Sequence, residues 1–127
     1  MALIVADTDV LIDFLAGREP ASGAVLKARE KDALVTTSVS RFELLSGART
    51  DEERLEFLRL LDSLRTLPLD SGAADRAARI YRTLEETGKR IDPGDCLIAG
   101  ITMQHGGTLL SRNRKHFSRI KGLTLAT

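Results

Sequence analysis

The segment ALIVADTDVLIDFLAG, residues 2–17, joins a short apolar run to an amphipathic pattern through a cluster of acids. The run ALIVA (2–6) predicts a buried strand. The residues that follow, 8–17, place their apolar side chains on one face of a helix that stops at a glycine. The junction carries three carboxylates: Asp7, Asp9 and Asp13. Acids at this position can cap the helix, hold a metal or supply a nucleophile, so the rest of the chain has to decide between these roles.

The same strand-then-helix order continues along the chain. The patterns predict further strands over 33–37, 66–69, 108–111 and 123–126. They predict helices over 21–29, 38–48, 51–64, 70–88 and 92–107, with a helical turn over 113–117. Alternating strands and helices favour right-handed crossovers. The predicted fold is therefore one α/β domain over 1–127, with a mostly parallel central sheet of about five strands and helices on both faces.

Length and composition predict a single soluble globular domain. The chain has 127 residues, of which 43% are hydrophobic and 29% are charged. Its one cysteine, Cys96, excludes an intrachain disulfide and favours a reducing compartment such as the cytoplasm. Acids interrupt the apolar start of the chain, so we expect neither a signal peptide nor a membrane span there.

The net charge of +1 conceals an uneven distribution. Residues 111–127 contain five basic side chains and no acidic one, so the first 110 residues carry 14 basic and 18 acidic side chains. A basic terminal segment can be a solvated face, or it can form a phosphate-binding rim. Composition alone leaves both interpretations open.

Three acids from distant parts of the sequence are predicted to meet at one edge of the sheet. Asp7, Glu43 and Asp95 each lie near a predicted helix N-terminus. Glu43 could instead complete a capping box with Ser40, and Asp92 could be the N-cap of the helix that holds Asp95. Three carboxylates gathered at one place repel one another, and a divalent cation would turn that repulsion into binding. All-oxygen ligands of this kind suit magnesium or manganese.

Four motifs resemble those of the PIN-domain ribonucleases, and among them the VapC-type toxins of prokaryotic toxin–antitoxin systems. They are VADTDVLID, TSVSRFELLSG, DPGDCLIAG and LLSRNRKHFSRIKGL, and they occur in that family's order and spacing over nearly the whole chain. The resemblance implies a PIN-like three-layer domain. The closing motif differs in one respect, because Asn113 stands where many relatives have an acid.

Carried over residue by residue, the resemblance implies a set of functional positions. The implied catalytic residues are Asp7, Glu43, Asp95 and Asn113. Metal ligands would be Asp7, Glu43 and Asp95, with Asp92 as an additional candidate. Positions supporting these ligands would be Asp9, Ser38 and Ser111. Arg112, Arg114 and Lys115 flank Asn113 within the basic terminal segment, and this placement makes them the candidate RNA-binding residues.

The resemblance also implies an activity and partners. One or two Mg²⁺ ions, with Mn²⁺ as the other candidate, would activate water to hydrolyse RNA phosphodiester bonds. Implied partners are an RNA substrate, a cognate antitoxin protein and a second copy of the chain in a homodimer. The first helices and the apolar ridge of Leu55, Leu58 and Leu61 could form the antitoxin surface, or the ridge could be buried in the core.

Two other functions compete with the nuclease. IVADTDVL also fits the opening motif of haloacid-dehalogenase-like phosphatases, in which Asp7 would be the nucleophile and Asp9 the general acid. That class needs an acidic pair after a strand, whereas no apolar run precedes Asp92. The second alternative is a non-catalytic RNA-binding module with a PIN-like fold, although such a module has no reason to keep three mutually repelling acids.

Overall fold

The computed structural model describes residues 2–126 as a β-sheet with helices on both faces. Its strands are β1 (Ile4–Ala6), β2 (Leu34–Thr37), β3 (Arg65–Leu67) and β4 (Thr108–Leu110). Its helices are α1 (Thr8–Leu15), α2 (Ala21–Glu30), α3 (Ser38–Gly47), α4 (Asp51–Asp62), α5 (Ser71–Glu86), α6 (Pro93–Gln104) and α7 (Arg114–Phe117). Within residues 2–126, no helix combines the length and the apolar character that crossing a membrane requires.

The four strands are parallel and lie in the order β3-β2-β1-β4. The predicted α/β fold is thereby confirmed. The expected fifth strand over 123–126 is reduced to one parallel bridge between Leu109 and Leu125. Two backbone hydrogen bonds, from Leu109 N to Thr124 O and from Ala126 N to Leu109 O, hold that segment to β4. β3 ends at Leu67 because Pro68 has no N–H to donate to a sheet ladder.

Alternating side chains of the strands divide the core into two layers. Val5 packs with α5, α6 and α7, whereas Ile4 and Ala6 pack with α1 to α4. Helices therefore cover both faces of the sheet, as the parallel strands require. On α4, Leu61 is fully buried while Leu55 is 48% exposed. The predicted apolar ridge is thus split, with one end in the core and one end on the surface.

A glycine lets α6 pack closely on α5. A Cβ atom at Gly100 would lie 2.6 Å from the backbone oxygen of Ala73 and 3.0 Å from the Cβ of Ala77. Carbon and oxygen atoms do not approach that closely without displacing one of the helices. Gly100 therefore helps to set the position of α6, whose first turn carries Asp95.

Candidate active site

The strand order creates a crevice at the carboxyl end of β1. The chain adds β2 and β3 on one side of β1 and later returns to add β4 on the other side. Asp7 follows β1, and its backbone N–H donates to Leu110 O of β4 at 2.9 Å. Ligands of parallel α/β sheets bind at such a switch in strand order. Asp7 therefore lies where the strand order of this sheet predicts a ligand-binding site.

An open pocket of about 260 Å³ lies at this position. Its lining residues come from four separate segments: Asp7, Thr8, Asp9, Glu43, Asp92, Asp95 and Asn113. Tertiary folding thus brings together the four residues predicted to be catalytic, and Asp92 lies with them. Five carboxylates around one small pocket give it a strongly negative lining.

Asp7 is both a helix cap and a buried member of the pocket. Its Oδ1 accepts a hydrogen bond from Thr8 N at 2.9 Å, and its Oδ2 accepts one from the Ser111 hydroxyl at 2.8 Å. Burial raises the pKa of Asp7 from 3.8 to about 6, and the charge of Asp9 adds to the rise while the Ser111 hydrogen bond opposes it. The Ser111 hydroxyl therefore contacts the carboxylate of Asp7 directly, at the position where a supporting residue is predicted.

Asp95 has the most strongly raised carboxylate pKa in the pocket. Burial is the largest cause, and the nearby charges of Asp7, Asp92 and Glu43 add to it, so that the pKa rises from 3.8 to about 7. Without a cation, this carboxyl is therefore protonated to a substantial extent near pH 7, whereas an ordinary carboxyl is fully ionised there. A site that penalises negative charge in this way gains stability from any positive charge bound inside it.

Glu43 reaches the pocket from the second turn of α3. The Thr8 hydroxyl lies 2.5 Å from Glu43 Oε1 and 2.9 Å from the Ser40 hydroxyl. Since Thr8 has one proton and a carboxylate only accepts, Thr8 donates to Glu43. The predicted capping box of Ser40 and Glu43 is wrong, because Thr37 is the N-cap and accepts a hydrogen bond from Ser40 N. Glu43 is therefore free to face Thr8 and the pocket.

The first turn of α6 supplies the opposite wall. Asp92 occupies its N-cap position as predicted, but its side chain makes no capping hydrogen bond, so the carboxylate remains available. A Cβ atom at Gly94 would lie 3.0 Å from Glu43 Oε2 and 3.9 Å from Asp92 Oδ2. The absence of a side chain at Gly94 thus makes room for Glu43.

Asn113 closes the pocket from the loop after β4. Its Nδ2 donates to Asp95 Oδ2 at 3.4 Å and lies 3.0 Å from Nδ1 of His116. Its backbone N–H donates to the Ser111 hydroxyl at 2.9 Å, which links it to the same hydroxyl that holds Asp7. Asn113 therefore contacts Asp95 directly, as a neutral donor rather than as a fourth acid.

Comparison with known proteins identifies the family. The sequence profile of the PIN domain matches residues 4–123. The chain belongs to the PIN-domain family. Ribonuclease VapC10 of Mycobacterium tuberculosis is 36% identical over 121 residues, which are 95% of this chain and 90% of that protein. The tRNA(fMet)-specific endonuclease VapC of Shigella flexneri is 26% identical over 127 residues, with 97% of this chain and 96% of that protein covered.

A solved structure shows the same PIN-domain fold. The crystal structure of VapBC2 from Rickettsia felis, bound to a DNA fragment from their promoter, contains a chain that matches with a TM-score of 0.84. The sequences are 20% identical, and the match covers 98% of this chain and 97% of that chain. At this identity the likeness concerns the fold, and it extends over the whole PIN domain.

Some residues predicted for the site lie elsewhere in this PIN domain. The Ser38 hydroxyl accepts a hydrogen bond from Leu69 N at 3.0 Å, so it ties α3 to the segment after β3 and does not line the pocket. Arg114 donates to the carbonyl oxygen of Ala126. Arg112 contacts Asp9 and Asp13 of α1, whereas Lys115 has an exposed side chain. Two of the three predicted RNA contacts, Arg112 and Arg114, are thus bonded within the protein. Within residues 2–126, the Lys115 ammonium has no such bond.

Sequence reasoning missed three residues that shape the PIN-domain site. They are Thr8, Ser40 and Gly94. Thr8 stands between two acids in DTD, and Gly94 stands between two acids in DPGD. The feature of the sequence that could have identified these two residues is therefore a small or hydroxyl-bearing residue within a short acidic motif. Ser40 carried no such signal, because only its approach to Thr8 across the fold reveals its contact.

The carboxylate oxygens of the pocket are the type of ligand that binds a divalent metal, although their present rotamers do not point to one common position. Within residues 2–126, no group of three acidic, histidine or cysteine side chains is close enough to enclose an ion as the side chains stand. Glu43 is turned to Thr8, and Asp95 is turned to Asn113. Binding by three carboxylates therefore requires side-chain rotation. The hard oxygen donors and their mutual repulsion still favour Mg²⁺ or Mn²⁺ over soft metals.

Proposed function

We propose that the protein is a metal-dependent endoribonuclease of the VapC type and acts as the toxin of a toxin–antitoxin pair. The observation that carries this proposal is the convergence of Asp7, Glu43, Asp92 and Asp95 on one pocket of a PIN domain. The names of its curated relatives, ribonuclease and endonuclease, support RNA as the substrate class. The basic segment beyond residue 110 would counter the repulsion between that pocket and a phosphate backbone.

Asp7, Glu43 and Asp95 would hold the ion, with Asp92 as a further ligand. When bound, Mg²⁺ or Mn²⁺ supplies Lewis-acid activation of water and charge stabilisation at the leaving oxygen. The chain's own groups fix the ligands: the Ser111 hydroxyl and Thr8 N hold Asp7, and the Thr8 hydroxyl holds Glu43. Asn113 orients Asp95 through its amide. Such contacts around metal ligands strongly affect both affinity and rate.

The ion pair of Asp9 weighs against the phosphatase alternative. Asp9 would be the general acid of that enzyme, yet its Oδ2 lies 3.6 Å from the Arg112 guanidinium. In this arrangement the carboxylate that the phosphatase would use as its acid is occupied by a cation. Membership of the PIN-domain family supports the nuclease as well.

We propose a cognate antitoxin as the protein partner and a homodimer as the assembly of the free toxin. VapBC complexes among the structural neighbours support the antitoxin. Two exposed apolar side chains belong to the helices that carry pocket residues: Phe42 of α3 is 70% exposed, and Ile12 of α1 is 38% exposed. Leu55 of the predicted ridge is exposed as well, whereas Leu61 is buried and unavailable. We therefore propose that the antitoxin contacts the exposed apolar side chains of the first helices and of the beginning of α4, without Leu61.

Cleavage of a mixed RNA pool by the purified protein tests the proposed function. We expect cutting in Mg²⁺ or Mn²⁺, none with a chelator, and a loss of at least about 100-fold in Asp95→Asn, because that variant removes a proposed ligand. A generic phosphate monoester serves as the second substrate. Monoester hydrolysis without RNA cutting would indicate the phosphatase, and metal-independent RNA cutting would contradict the proposed mechanism.

Removing the Thr8 hydroxyl is expected to weaken catalysis about 10-fold or more. Thr8→Val keeps the shape of the side chain but leaves Glu43 Oε1 without its donor. The measurement is the rate of RNA cleavage as a function of Mn²⁺ concentration, with Thr8→Ser as the matched control because serine retains the hydroxyl. A Thr8→Val enzyme with wild-type rate and metal dependence would show that this hydrogen bond does not position Glu43.

A further inference from the structure

A buried acid of α1 binds the loop that follows β4. Asp13 has a side chain only 8% exposed, and its Oδ1 lies 3.3 Å from Nη1 of Arg112 and 3.4 Å from Nη1 of Arg18. Arg112 also reaches Asp9, one helical turn earlier, at 3.6 Å. Asp9 and Asp13 are four residues apart, so one guanidinium spans both on the same face of the helix. A buried carboxylate needs such a partner.

Three consecutive residues fasten this loop to the site. The Ser111 hydroxyl donates to Asp7 at 2.8 Å, and Asn113 Nδ2 donates to Asp95 at 3.4 Å. Between them, Arg112 is anchored on Asp13. The ion pair therefore holds the backbone at the point from which two residues reach the pocket.

We infer that Asp13 and Arg112 form a positioning pair that fixes Ser111 and Asn113 against the catalytic carboxylates. Neither residue of the pair needs to touch RNA for this role. Arg112 also offsets the charge of Asp9 at the pocket wall. Without the pair, the loop would lose its anchor on α1, and Asp9 would add its full repulsion to Asp7 and Asp95. This inference rests on the proposed nuclease function for its kinetic consequences, but its structural consequence is independent of that function.

Kinetics of four variants separate positioning from RNA binding. We expect Arg112→Met and Asp13→Asn each to lower kcat by about 10- to 100-fold with KM changed less than about 2-fold. The double variant should be no slower than the slower single variant, because both remove one interaction. Arg18→Met is the matched control. Arg18 contacts the same Asp13 oxygen, but it belongs to the segment just after α1 and not to the loop after β4, so the kcat of this variant should stay near wild type. A raised KM with unchanged kcat in Arg112→Met would instead make Arg112 a phosphate contact and overturn the inference.

Hydrogen exchange tests the same pair without any catalysis. The Asn113 amide donates to the Ser111 hydroxyl, and its exchange should become at least about 5-fold faster in Arg112→Met and Asp13→Asn but not in Arg18→Met. Arg112→Lys keeps the charge without the guanidinium fork and should fall between wild type and Arg112→Met, which covers the case that the stronger variant does not fold. Unchanged Asn113 exchange in the folded variants would overturn the inference. If wild type cuts no RNA, the proposed function fails, while the exchange result still decides the positioning role.

Discussion

Asp7→Asn is expected to reduce RNA cleavage severely and at the same time to raise the melting temperature of the metal-free protein. The activity should fall about 10³-fold, equivalent to about 4 kcal/mol of transition-state stabilisation, because a neutral amide replaces a central ligand. Asparagine can keep both contacts of Asp7: its oxygen accepts from Thr8 N, and its amide can donate to the Ser111 hydroxyl, which reverses the direction of the wild-type hydrogen bond. The substitution therefore removes the charge while keeping the local structure.

The expected stabilisation of Asp7→Asn follows from the burial of the wild-type carboxylate. Asp7 is 3% exposed, and its pKa is raised to about 6. Above pH 6 the folded protein must hold this buried charge, at a cost of about 3 kcal/mol for a rise of about two pK units. Removing it should increase the melting temperature by about 10 °C at pH 7.5 in chelator.

Asp75→Asn is the matched control for the Asp7 experiment. Asp75 is an exposed acid of α5 outside the pocket, so its substitution should change neither the cleavage rate nor the stability by more than about 0.5 kcal/mol. Differential scanning fluorimetry and the RNA cleavage assay give the two readouts. An Asp7→Asn protein that melts lower than wild type in chelator would show that the buried charge is not destabilising.

Raising the pH is expected to destabilise the metal-free protein, and a divalent cation is expected to reverse the effect. Asp7 and Asp95 have raised pKa values in the folded state, about 6 and about 7, against 3.8 for an ordinary carboxyl. The folded protein therefore binds more protons than the unfolded chain between about pH 4 and pH 7. Stability falls with pH wherever the folded state binds more protons, so it should fall up to about pH 7 and then level off.

The size of the pH effect can be bounded from Asp7. Between pH 5 and pH 8 the ionisation of this buried group lowers the free energy of unfolding by about 1.4 kcal/mol. Asp95 adds to the loss by a smaller amount than its pKa shift suggests, because solvent screens its partly exposed carboxylate. We expect the melting temperature in chelator to be about 5 °C lower at pH 8 than at pH 5. Mn²⁺ at 100 times its dissociation constant should add about 2.7 kcal/mol at pH 8.

Asp95→Asn tests whether the pH dependence of the melting temperature comes from the pocket and not from other carboxylates of the protein. The variant should show a smaller fall in melting temperature between pH 5 and pH 8, and a weaker response to Mn²⁺, because it lacks one of the coupled charges. Asp75→Asn should retain the wild-type response. A wild-type melting temperature that rises from pH 5 to pH 8 in chelator would contradict the proton balance, and an unchanged one in Mn²⁺ would count against the metal site.

The strand-helix alternation of the chain was enough to predict the parallel sheet and most element positions. Apolar periodicity is a local property, so β1, β2 and the long helices could be assigned without tertiary information. The terminal segment 123–126 was less predictable, because its apolar alternation suits a strand, whereas within residues 2–126 its pairing with β4 is a single bridge to Leu109. Pairing partners are a tertiary property that no local pattern contains.

The identities of the main carboxylates were determined by the sequence itself. Asp7, Glu43 and Asp95 follow from the position of acids after strands and near helix starts, and from the motifs of the family. Their convergence then follows from the rule that parallel strands share one carboxyl edge. The roles of Ser38 and Arg112 could not be obtained in this way, because each depends on which distant group its side chain meets.

Tertiary structure alone decided how the carboxylates are held. Thr8 and Glu43 are 35 residues apart, Asp7 and Ser111 are 104 apart, and Asp13 and Arg112 are 99 apart. Each contact depends on the strand order β3-β2-β1-β4, which sets the first helix beside the loop after the last strand. The sequence by itself determined which groups carry charge and which segments form strands and helices. Only the fold, by bringing residues that are 35 to 104 positions apart within hydrogen-bond distance, decided which neutral and basic groups neutralise and orient them.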